Sequence, residues 1–279
     1  MKKLLKKVFK EISKKLINIS CMTNIGRFFF EVIEENIKDI KKNINHNGID
    51  LNFYCPNRTC YYRIETFSTK EPETLFWIDG FKKDEILWDI GANIGLYSCY
   101  AAKKNNSKVY SFEPSFLNLE IISKNIFINN LEEKVTIIPV SLSNINSVAD
   151  FNMSTTTVGG AMSNYGKDSY DANANRLRTI FKYKTISINS DELAKNWKIE
   201  RPDHIKIDVD GIEHLIINGM DEILKTTKSV LIEVDRKFEE HKNIIEDKLR
   251  KKGFEKTTKF DTSLQSNTLN QFNQIWIKN

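Results

Sequence analysis

Glycine, proline and cysteine are scarce in this chain, which has 11 Gly, 5 Pro and 4 Cys among 279 residues. So little glycine and proline excludes collagen-like and linker-rich chains and argues against a heavily turned all-β architecture. Four scattered cysteines are too few for a disulfide framework, so we expect reduced thiols and a cytoplasmic protein. Hydrophobic residues make up 40% of the chain, which is enough for a sizeable core.

Long hydrophobic runs are also missing. No apolar segment approaches the roughly 20 residues that cross a membrane, and lysines interrupt the N-terminus too often for a secretory signal. A large excess of one charge is missing as well, because the net charge is only +5 and seven lysines lie between Lys2 and Lys15. A nucleic-acid-binding domain is usually more basic over its folded surface, so we expect no nucleic-acid partner.

The N-terminus does show helical periodicity. In residues 1–19 apolar side chains recur every three or four positions, with lysines on the other side, and these are Leu5, Phe9, Ile12, Leu16 and Ile19. The pattern has two interpretations. The helix packs its stripe on the main domain, or it lies on the anionic inner face of a membrane as a peripheral contact. With a second helix over 25–42, it makes residues 1–50 an N-terminal helical extension.

The next segment, 51–80, is predicted to be a strand hairpin with a lead-in helix. Residues 51–67 are interpreted as two short strands around a Pro-Asn turn, followed by a helix over 71–80. Cys55 and Cys60 flank that turn, but a second cysteine or histidine pair at ligand spacing is missing, so zinc is not expected. Residues 81–279 would then form the main domain.

A strand, a glycine turn and a helix follow one another over 86–104, as in the nucleotide loops of doubly wound α/β folds. The dinucleotide fingerprint G-x-G-x-x-G would need glycine at 93 and 96, where Asn93 and Leu96 stand. The phosphate-binding P-loop pattern is not met either. The segment therefore predicts a nucleotide site that is neither of these two.

The remaining pattern is Asp-x-Gly-x-Asn-x-Gly, with Asp89 where a carboxylate can face a cationic ligand. Gly91 lets the backbone approach that ligand, and Gly95 allows close helix–strand contact. A positive ligand that lies against the backbone fits the amine and sulfonium of S-adenosylmethionine.

Glu113 ends the next strand, 24 residues past Asp89, near the offset at which an acidic residue reaches ribose hydroxyls. Alternatively, Glu113 merely caps the following helix. A third strand is expected over 135–140, and Ser141 at its carboxyl end is placed to contact the base.

Four blocks of this sequence resemble the FkbM family of S-adenosylmethionine-dependent O-methyltransferases. They are 88–98, 112–114 with Asn125 and Asn129 downstream, 205–213, and 230–234. The family usually has glutamate where this chain has Asp210. The resemblance implies a Rossmann-like, seven-stranded class I methyltransferase sheet with helices on both faces, whose edge would include strands over 254–260 and 271–278. It also implies methylation of hydroxyls, often on sugars, glycans or natural products.

The expected cofactor is S-adenosylmethionine, which leaves as S-adenosylhomocysteine. A divalent metal is open but not favoured, and no metal-ligating residues are predicted. The residues predicted to bind the cofactor are Asp89, Gly91, Ala92, Asn93, Gly95, Glu113, Pro114, Ser141 and Asp208.

Removal of the proton from the acceptor hydroxyl is assigned to Asp208 or Asp210, with Glu213 and Glu233 lining the site. Alternation along a strand places Asp208 and Asp210 on one face, and mutual repulsion would raise the pKa of one of them, as suits a base. Glu213 could instead cap its helix. Lys206 either points away from this face or pairs with an acid.

Residues 151–180 are long, polar and irregular, and we interpret them as a substrate loop that covers the acceptor. Arg176 and Arg178 could hold a phosphate or carboxylate of that acceptor or simply face solvent. Deleting 154–163 is then expected to impair acceptor binding and to spare cofactor affinity.

The sequence thus favours an O-methyltransferase that acts on a carbohydrate or nucleotide-sugar during glycan, capsule or lipopolysaccharide modification. The alternatives are an O-methyltransferase of natural products and a non-catalytic, membrane-associated binding module with the same fold. A nicotinamide-dependent reductase is disfavoured by the glycine pattern. A base-methylating enzyme is disfavoured because its Asn/Asp-Pro-Pro-aromatic motif is missing. The sequence makes no prediction of oligomeric state.

Overall fold

The computed structural model describes residues 2–161, 163–166, 178–257 and 271–278. It begins with two helices, α1 (Lys2–Ser20) and α2 (Asn24–Lys38), followed by a hairpin of β1 (Lys41–His46) and β2 (Ile49–Tyr54). Thr23 caps α2, because its side chain accepts a hydrogen bond from the N–H of Gly26. No helix in the described ranges is both long enough and apolar enough to span a bilayer.

The hairpin is not where the sequence analysis placed it. The second strand predicted within 51–67 is instead α3 (Arg58–Glu65), which Asn57 caps by accepting the Cys60 N–H at 2.9 Å. The turn of the real hairpin is Asn47-Gly48, with φ of 48° and 78°. Asn-Gly favours such left-handed pairs. The helix predicted over 25–42 ends at Lys38, and β1 follows within the predicted helical extension of residues 1–50.

After α4 (Phe67–Lys70) and α5 (Pro72–Asp79) the chain alternates between strands and helices. This first run consists of β3 (Ile86–Ile90), α6 (Leu96–Asn105), β4 (Lys108–Phe112), α7 (Phe116–Ile128) and β5 (Val135–Ile138). All five elements were predicted to within a few residues.

A small sheet is inserted next, in the region predicted to be an irregular loop. It contains β6 (Ser141–Ser143), β7 (Ser147–Met153), β8 (Ser163–Tyr165) and β9 (Phe181–Asn189), in the order β6-β9-β7-β8. The prediction of an irregular 151–180 was therefore wrong for β7 and β8. Residues 167–177, with Arg176, lie outside the described residues.

The second run completes the large sheet. It consists of α8 (Ser190–Asn196), β10 (His204–Ile207), α9 (Glu213–Asn218), α10 (Ile223–Thr226), β11 (Ser229–Asp235), α11 (Glu239–Lys251), β12 (Phe254–Lys256) and β13 (Gln271–Lys278). The strand order is β12-β13-β11-β10-β3-β4-β5, with β13 antiparallel to both of its neighbours and the other pairs parallel. This order confirms the predicted seven-stranded sheet with an antiparallel edge.

Hydrophobic side chains cover both faces of this sheet. Leu87, Val109 and Leu231 belong to one core cluster, and Trp88 and Ile207 belong to the other. A parallel sheet that is covered on both sides needs strands that are mostly apolar. The few polar residues inside these strands, such as Asp89 and Lys206, are buried near the carboxyl ends of their strands, where the candidate site lies.

Candidate functional site

The glycine turn after β3 lies against the end of the neighbouring strand β10. Gly91 has a φ of 84°, and a Cβ there would lie 1.9 Å from the carbonyl oxygen of Asp208. No residue with a side chain fits at that distance without moving the backbone. Besides the predicted approach to a ligand, Gly91 thus permits contact between the two loops that carry the candidate site.

A first cleft opens beyond the carboxyl ends of β3, β4 and β10. Ligands of open α/β sheets bind in this position. The cleft collects most of the predicted site residues, namely Gly91, Asn93, Glu113, Pro114, Ser141, Asp208 and Asp210.

Glu113 is buried in the wall of the first cleft. One carboxylate oxygen accepts the N–H of Asn93 at 2.7 Å, and the other accepts the N–H of Ser115 at 2.8 Å. Burial raises the pKa of Glu113 to about 7, although both backbone bonds act in the opposite direction. The side chain therefore joins the glycine turn to the start of α7. The Asn118 side chain also donates a hydrogen bond to this carboxylate, so one lone pair remains for a hydroxyl.

A second cleft lies on the other side of the glycine turn, between that turn and helices α3 to α5. Gly91, Asn93 and Asp208 line both clefts. Other polar residues of the second cleft include Arg63, Thr66, Lys70, Glu71, Tyr97 and Lys206. Sequence reasoning missed Arg63 because the prediction of a strand around 60–67 concealed α3. It missed Lys70 and Glu71 because no local pattern places α4 and the start of α5 beside the glycine turn.

Lys206 and Asp208 form an ion pair at 2.9 Å between the two clefts. The Lys206 side chain is only 2% exposed. Burial alone would lower the pKa of Lys206, but Asp208 and Asp89 outweigh it and raise that pKa above its usual value. Burial likewise opposes ionisation of Asp208, but Lys206 lowers the Asp208 pKa below its usual value. Of the two predicted orientations of Lys206, the pairing with an acid is the one found.

Asp89 is buried and lines neither cleft. Its carboxylate accepts the Ser98 hydroxyl at 2.5 Å, and its second oxygen has no hydrogen-bond partner among the described residues. Burial raises the pKa of Asp89, while the charge of Lys206 acts in the opposite direction. Asp89 is therefore not placed to contact a cationic ligand in either cleft.

The carboxylates after β10 do not follow the predicted alternation. The strand ends at Ile207, and Asp210 has a left-handed φ of 61°, so strand geometry no longer relates it to Asp208. Asp210 lines the first cleft only, whereas Asp208 lines both. The expectation that the two acids share one strand face was wrong, although both still reach the first cleft.

Glu213 and Glu233 lie beside the clefts without lining them. Glu213 accepts the N–H groups of Gly211 at 2.9 Å and Val209 at 3.3 Å, and burial raises its pKa to about 7. Burial, followed by the charge of Asp208, raises the pKa of Glu233 well above its usual value. The raised pKa expected of the base is thus found on these two residues and not on Asp208.

Two further predicted residues occupy other positions. Ala92 lines the second cleft. Gly95 lines neither cleft. A Cβ on Gly95 would lie 2.6 Å from Ile122 Cγ1, so this glycine allows α6 to approach α7 and not a strand. Within the described ranges, no group of three or more His, Cys, Asp or Glu side chains is arranged to hold a metal ion.

The turn at 157–160 closes over the glycine loop. The Gly160 carbonyl accepts the Asn93 side-chain amide at 2.8 Å, and the Gly159 carbonyl accepts Arg63 Nε at 2.7 Å. Asn118 accepts the Gly159 N–H at 3.0 Å. Gly160 and Ala161 line the first cleft, so this part of the predicted substrate loop borders the predicted cofactor residues.

Two curated proteins are similar to this chain. Hexuronic acid methyltransferase AglP of Haloferax volcanii is 25% identical, and the match covers 62% of this chain and 65% of that protein, a little under two thirds of it. Methyltransferase sdnD of Sordaria araneosa is 26% identical, with 60% of this chain and 74% of that protein covered.

Solved structures with a similar arrangement include Precorrin-6y C5,15-methyltransferase from Geobacter metallireducens. It is 14% identical, with a TM-score of 0.40 and coverage of 74% of this chain and 84% of that chain. The structure of P. horikoshii TYW2 in complex with MeSAdo is 15% identical, with a TM-score of 0.46 and coverage of 86% and 73%.

The family model described as Methyltransferase FkbM domain matches residues 89–256, more than half of the chain. The match begins at the glycine turn of β3 and ends at β12, so it includes every residue predicted for the site. The chain therefore belongs to the FkbM methyltransferase domain family of S-adenosylmethionine-dependent methyltransferases, as its motifs predicted.

Proposed function

We propose that this chain is an S-adenosylmethionine-dependent O-methyltransferase that acts on a hydroxyl of a carbohydrate or nucleotide-sugar. The observation that carries the proposal is the meeting of two clefts at Gly91, Asn93 and Asp208. The first cleft suits a nucleoside. The wall that the two clefts share carries the ionised carboxylate of Asp208. The Haloferax relative, a hexuronic acid methyltransferase by name, supports a sugar acceptor.

The residues of the first cleft fit the adenosine part of the cofactor. The remaining lone pair of Glu113 can accept a hydrogen bond from a ribose hydroxyl, and Ser141 and Pro114 line the same cleft and could contact the base. Gly91 and Asn93 continue into the second cleft, where Arg63 and Lys70 offer positive charge to a carboxylate. The methionyl end of the cofactor would be held there.

The cofactor, when bound, supplies a methyl group on a positively charged sulfur. The part left to the protein is to hold the acceptor hydroxyl in line and to receive its proton. We assign proton reception to Asp208, because it lines both clefts and is held ionised by Lys206. Asp210, which lines the first cleft only, is the second candidate for this role.

A low pKa does not disqualify Asp208 as proton acceptor. A neutral hydroxyl that gains a methyl group becomes a protonated ether, which is far more acidic than any carboxylic acid. The carboxylate therefore needs only to be ionised and within hydrogen-bond reach as the new bond forms. Glu213 and Glu233, whose raised pKa would favour a stronger base, do not line either cleft, so we assign them no contact with the acceptor.

The proposed acceptor class is tested by incubating the protein with S-adenosylmethionine and a panel of acceptors. The panel contains free hexuronic acids, nucleotide-linked hexuronic acids, neutral nucleotide-sugars and small phenols, with S-adenosylhomocysteine as the readout. We expect turnover with a sugar or nucleotide-sugar, reduced about 100-fold or more in Asp208→Asn and less in Asp210→Asn. Turnover with phenols alone would support the natural-product alternative. Cofactor binding without any turnover would support the binding-module alternative.

A further inference from the structure

The first helix, α1, is amphipathic, yet its apolar face is not packed on the protein. Leu5, Phe9, Ile12, Leu16 and Ile19 fall within an arc of about 80° on the helix surface. Their exposed fractions lie between 52% for Ile12 and 74% for Phe9. Such exposure contradicts the interpretation that this stripe packs on the main domain. No residue within the described ranges covers it.

The exposed apolar surface continues into α2. Ile25, Phe28 and Phe29 are 84%, 67% and 58% exposed. The opposite side of α2 faces the body of the protein, where Phe30 and Ile33 line a groove together with Val158. Ile17 of α1 lines the same groove. The two helices thus border the body of the protein through one side of α2 and through Ile17, while the large apolar residues named above remain in solvent. Exposed apolar surface of this extent marks an interaction site.

The charge of α1 indicates what kind of surface it meets. Lys6, Lys7, Lys10 and Lys14 are exposed and occupy an arc of about 100° on the other side of the helix. Between Lys2 and Lys15 there are seven lysines and one acidic residue, Glu11. A second copy of this helix would cover the apolar stripe but would leave the lysines without a partner of opposite charge. A nucleic acid would neutralise the lysines but leave the apolar stripe in water.

We propose that α1 binds an anionic lipid membrane, with its apolar stripe in the boundary between headgroups and acyl chains and its lysines toward the headgroups. Both features are needed for such a helix, since buried apolar area and attraction to anionic lipids act together. Each lysine near an anionic surface contributes about a fivefold gain in affinity. The α2 face adds Phe28 and Phe29, and phenylalanine is typical of the buried apolar face of helices that lie on a membrane. This surface is separate from both clefts and does not depend on the proposed reaction.

The test is flotation of the full chain with vesicles of phosphatidylcholine alone and of phosphatidylcholine mixed with phosphatidylglycerol. We expect binding to the anionic vesicles only, weakened by high salt. Changing Lys6, Lys7, Lys10 and Lys14 to glutamine should reduce the affinity by about 100-fold or more. Phe9→Ser with Leu16→Ser should also reduce it, because the apolar contact is lost.

Matched controls distinguish binding through α1 from nonspecific adsorption of the protein to vesicles. Phe127→Ser removes a side chain that is 68% exposed on α7 and should leave binding unchanged. Glutamine substitution of four exposed lysines of the main domain should also leave it unchanged, and these are Lys82, Lys83, Lys103 and Lys195. All the altered side chains are exposed, so circular dichroism should show an unaltered fold.

Three results would overturn the proposal. One is equal binding to neutral and anionic vesicles or no binding to either. Another is a dimer in analytical ultracentrifugation that Phe9→Ser dissociates, which would show that a second copy covers the stripe. The third is tighter binding to duplex DNA than to vesicles, unaffected by the Phe9 and Leu16 changes.

Discussion

At the scale of single residues, two glycines with nearly the same backbone angle differ in what surrounds them. Gly91 and Gly48 have φ of 84° and 78°. A Cβ on Gly91 would lie 1.9 Å from the Asp208 carbonyl oxygen, whereas a Cβ on Gly48 would meet nothing within 4 Å. Replacing Gly48 by alanine therefore introduces backbone strain alone, whereas replacing Gly91 introduces both backbone strain and a steric clash.

We predict that Gly48→Ala costs about 1–2 kcal/mol of unfolding free energy, the cost of a left-handed alanine. Gly91→Ala adds displacement of the β10 loop and should cost more than about 4 kcal/mol, with loss of cofactor binding. Urea unfolding of both variants measures the difference. Equal costs would show that the two loops do not meet as described.

The buried ion pair between Lys206 and Asp208 also makes a residue-scale prediction. Asp208→Asn leaves a buried lysine whose main partner is gone, so we expect a loss of about 3–5 kcal/mol in unfolding free energy. The double variant Lys206→Met with Asp208→Asn removes the uncompensated charge and should recover most of that loss. A double variant that is less stable than Asp208→Asn would contradict the pairing.

At the scale of elements, the turn between β7 and β8 is hydrogen-bonded to the glycine loop after β3, which the sequence did not predict. Asn93 and Asn118 bond to Gly160 and Gly159, and Gly160 lines the first cleft. The sequence analysis expected that removal of 154–163 would spare cofactor affinity. These contacts lead to the opposite expectation.

We predict that deletion of residues 154–162 weakens binding of S-adenosylhomocysteine by about tenfold or more, since the Gly160 bond to Asn93 of the glycine loop and the Gly159 bonds to Asn118 and Arg63 are lost. Met153 pairs with Ser163 across the hairpin, so a two-glycine linker can rejoin the chain. Thr156→Ala, an exposed position of the same turn, is the control and should bind normally. Unchanged affinity in the deletion variant would show that this turn does not support cofactor binding and would leave it a role in acceptor binding only.

The elements predicted correctly from the sequence are those with an unambiguous period. The runs 86–90, 108–112 and 230–234 are mostly apolar, as expected of buried parallel strands, and each contains at least one polar residue, such as Asp89, Ser111 or Glu233. The errors occur where local signals compete. The Pro-Asn pair was interpreted as a turn between strands, but Asn57 caps a helix. The inserted sheet was missed because β8 has only three residues and its neighbours are polar.

Which residues form the candidate site could be predicted from the sequence more accurately than how they are arranged. Glycines and acids at strand ends identified the first cleft. The exclusion of Asp89 from it depends on Ser98 on a neighbouring helix. The ionisation of Asp208 depends on how far Lys206 is buried. Neither is encoded in local spacing.

At the scale of the whole molecule, several buried carboxyl groups make stability depend on pH. The pKa of Glu213 is about 7 in the folded protein, above the usual value of about 4.3. The folded state therefore holds this proton more tightly than the unfolded state between those two values. The effect of Glu213 on the free energy of unfolding is therefore most favourable at low pH. It becomes less favourable as the pH rises across this window, and it does not change further above it.

We predict that Glu213→Gln gains stability relative to the original protein between pH 5 and pH 8, by up to about 3 kcal/mol. Glutamine can still accept the Gly211 N–H, so the loop should be retained. Unfolding by urea in the absence of cofactor, at several pH values, measures the difference. Parallel pH profiles for the two proteins would contradict a raised pKa at Glu213.

We infer that the first cleft holds S-adenosylmethionine through Glu113. Titration calorimetry with S-adenosylhomocysteine tests it most directly, on the original protein, Glu113→Ala and the control Glu120→Ala, which alters an exposed ion pair on α7. We expect micromolar binding that Glu113→Ala weakens by at least about tenfold, because charged hydrogen bonds contribute about 1.5–3 kcal/mol, and that Glu120→Ala leaves unchanged. Binding with equal affinity in all three proteins, or no binding by the original protein, would contradict the claim.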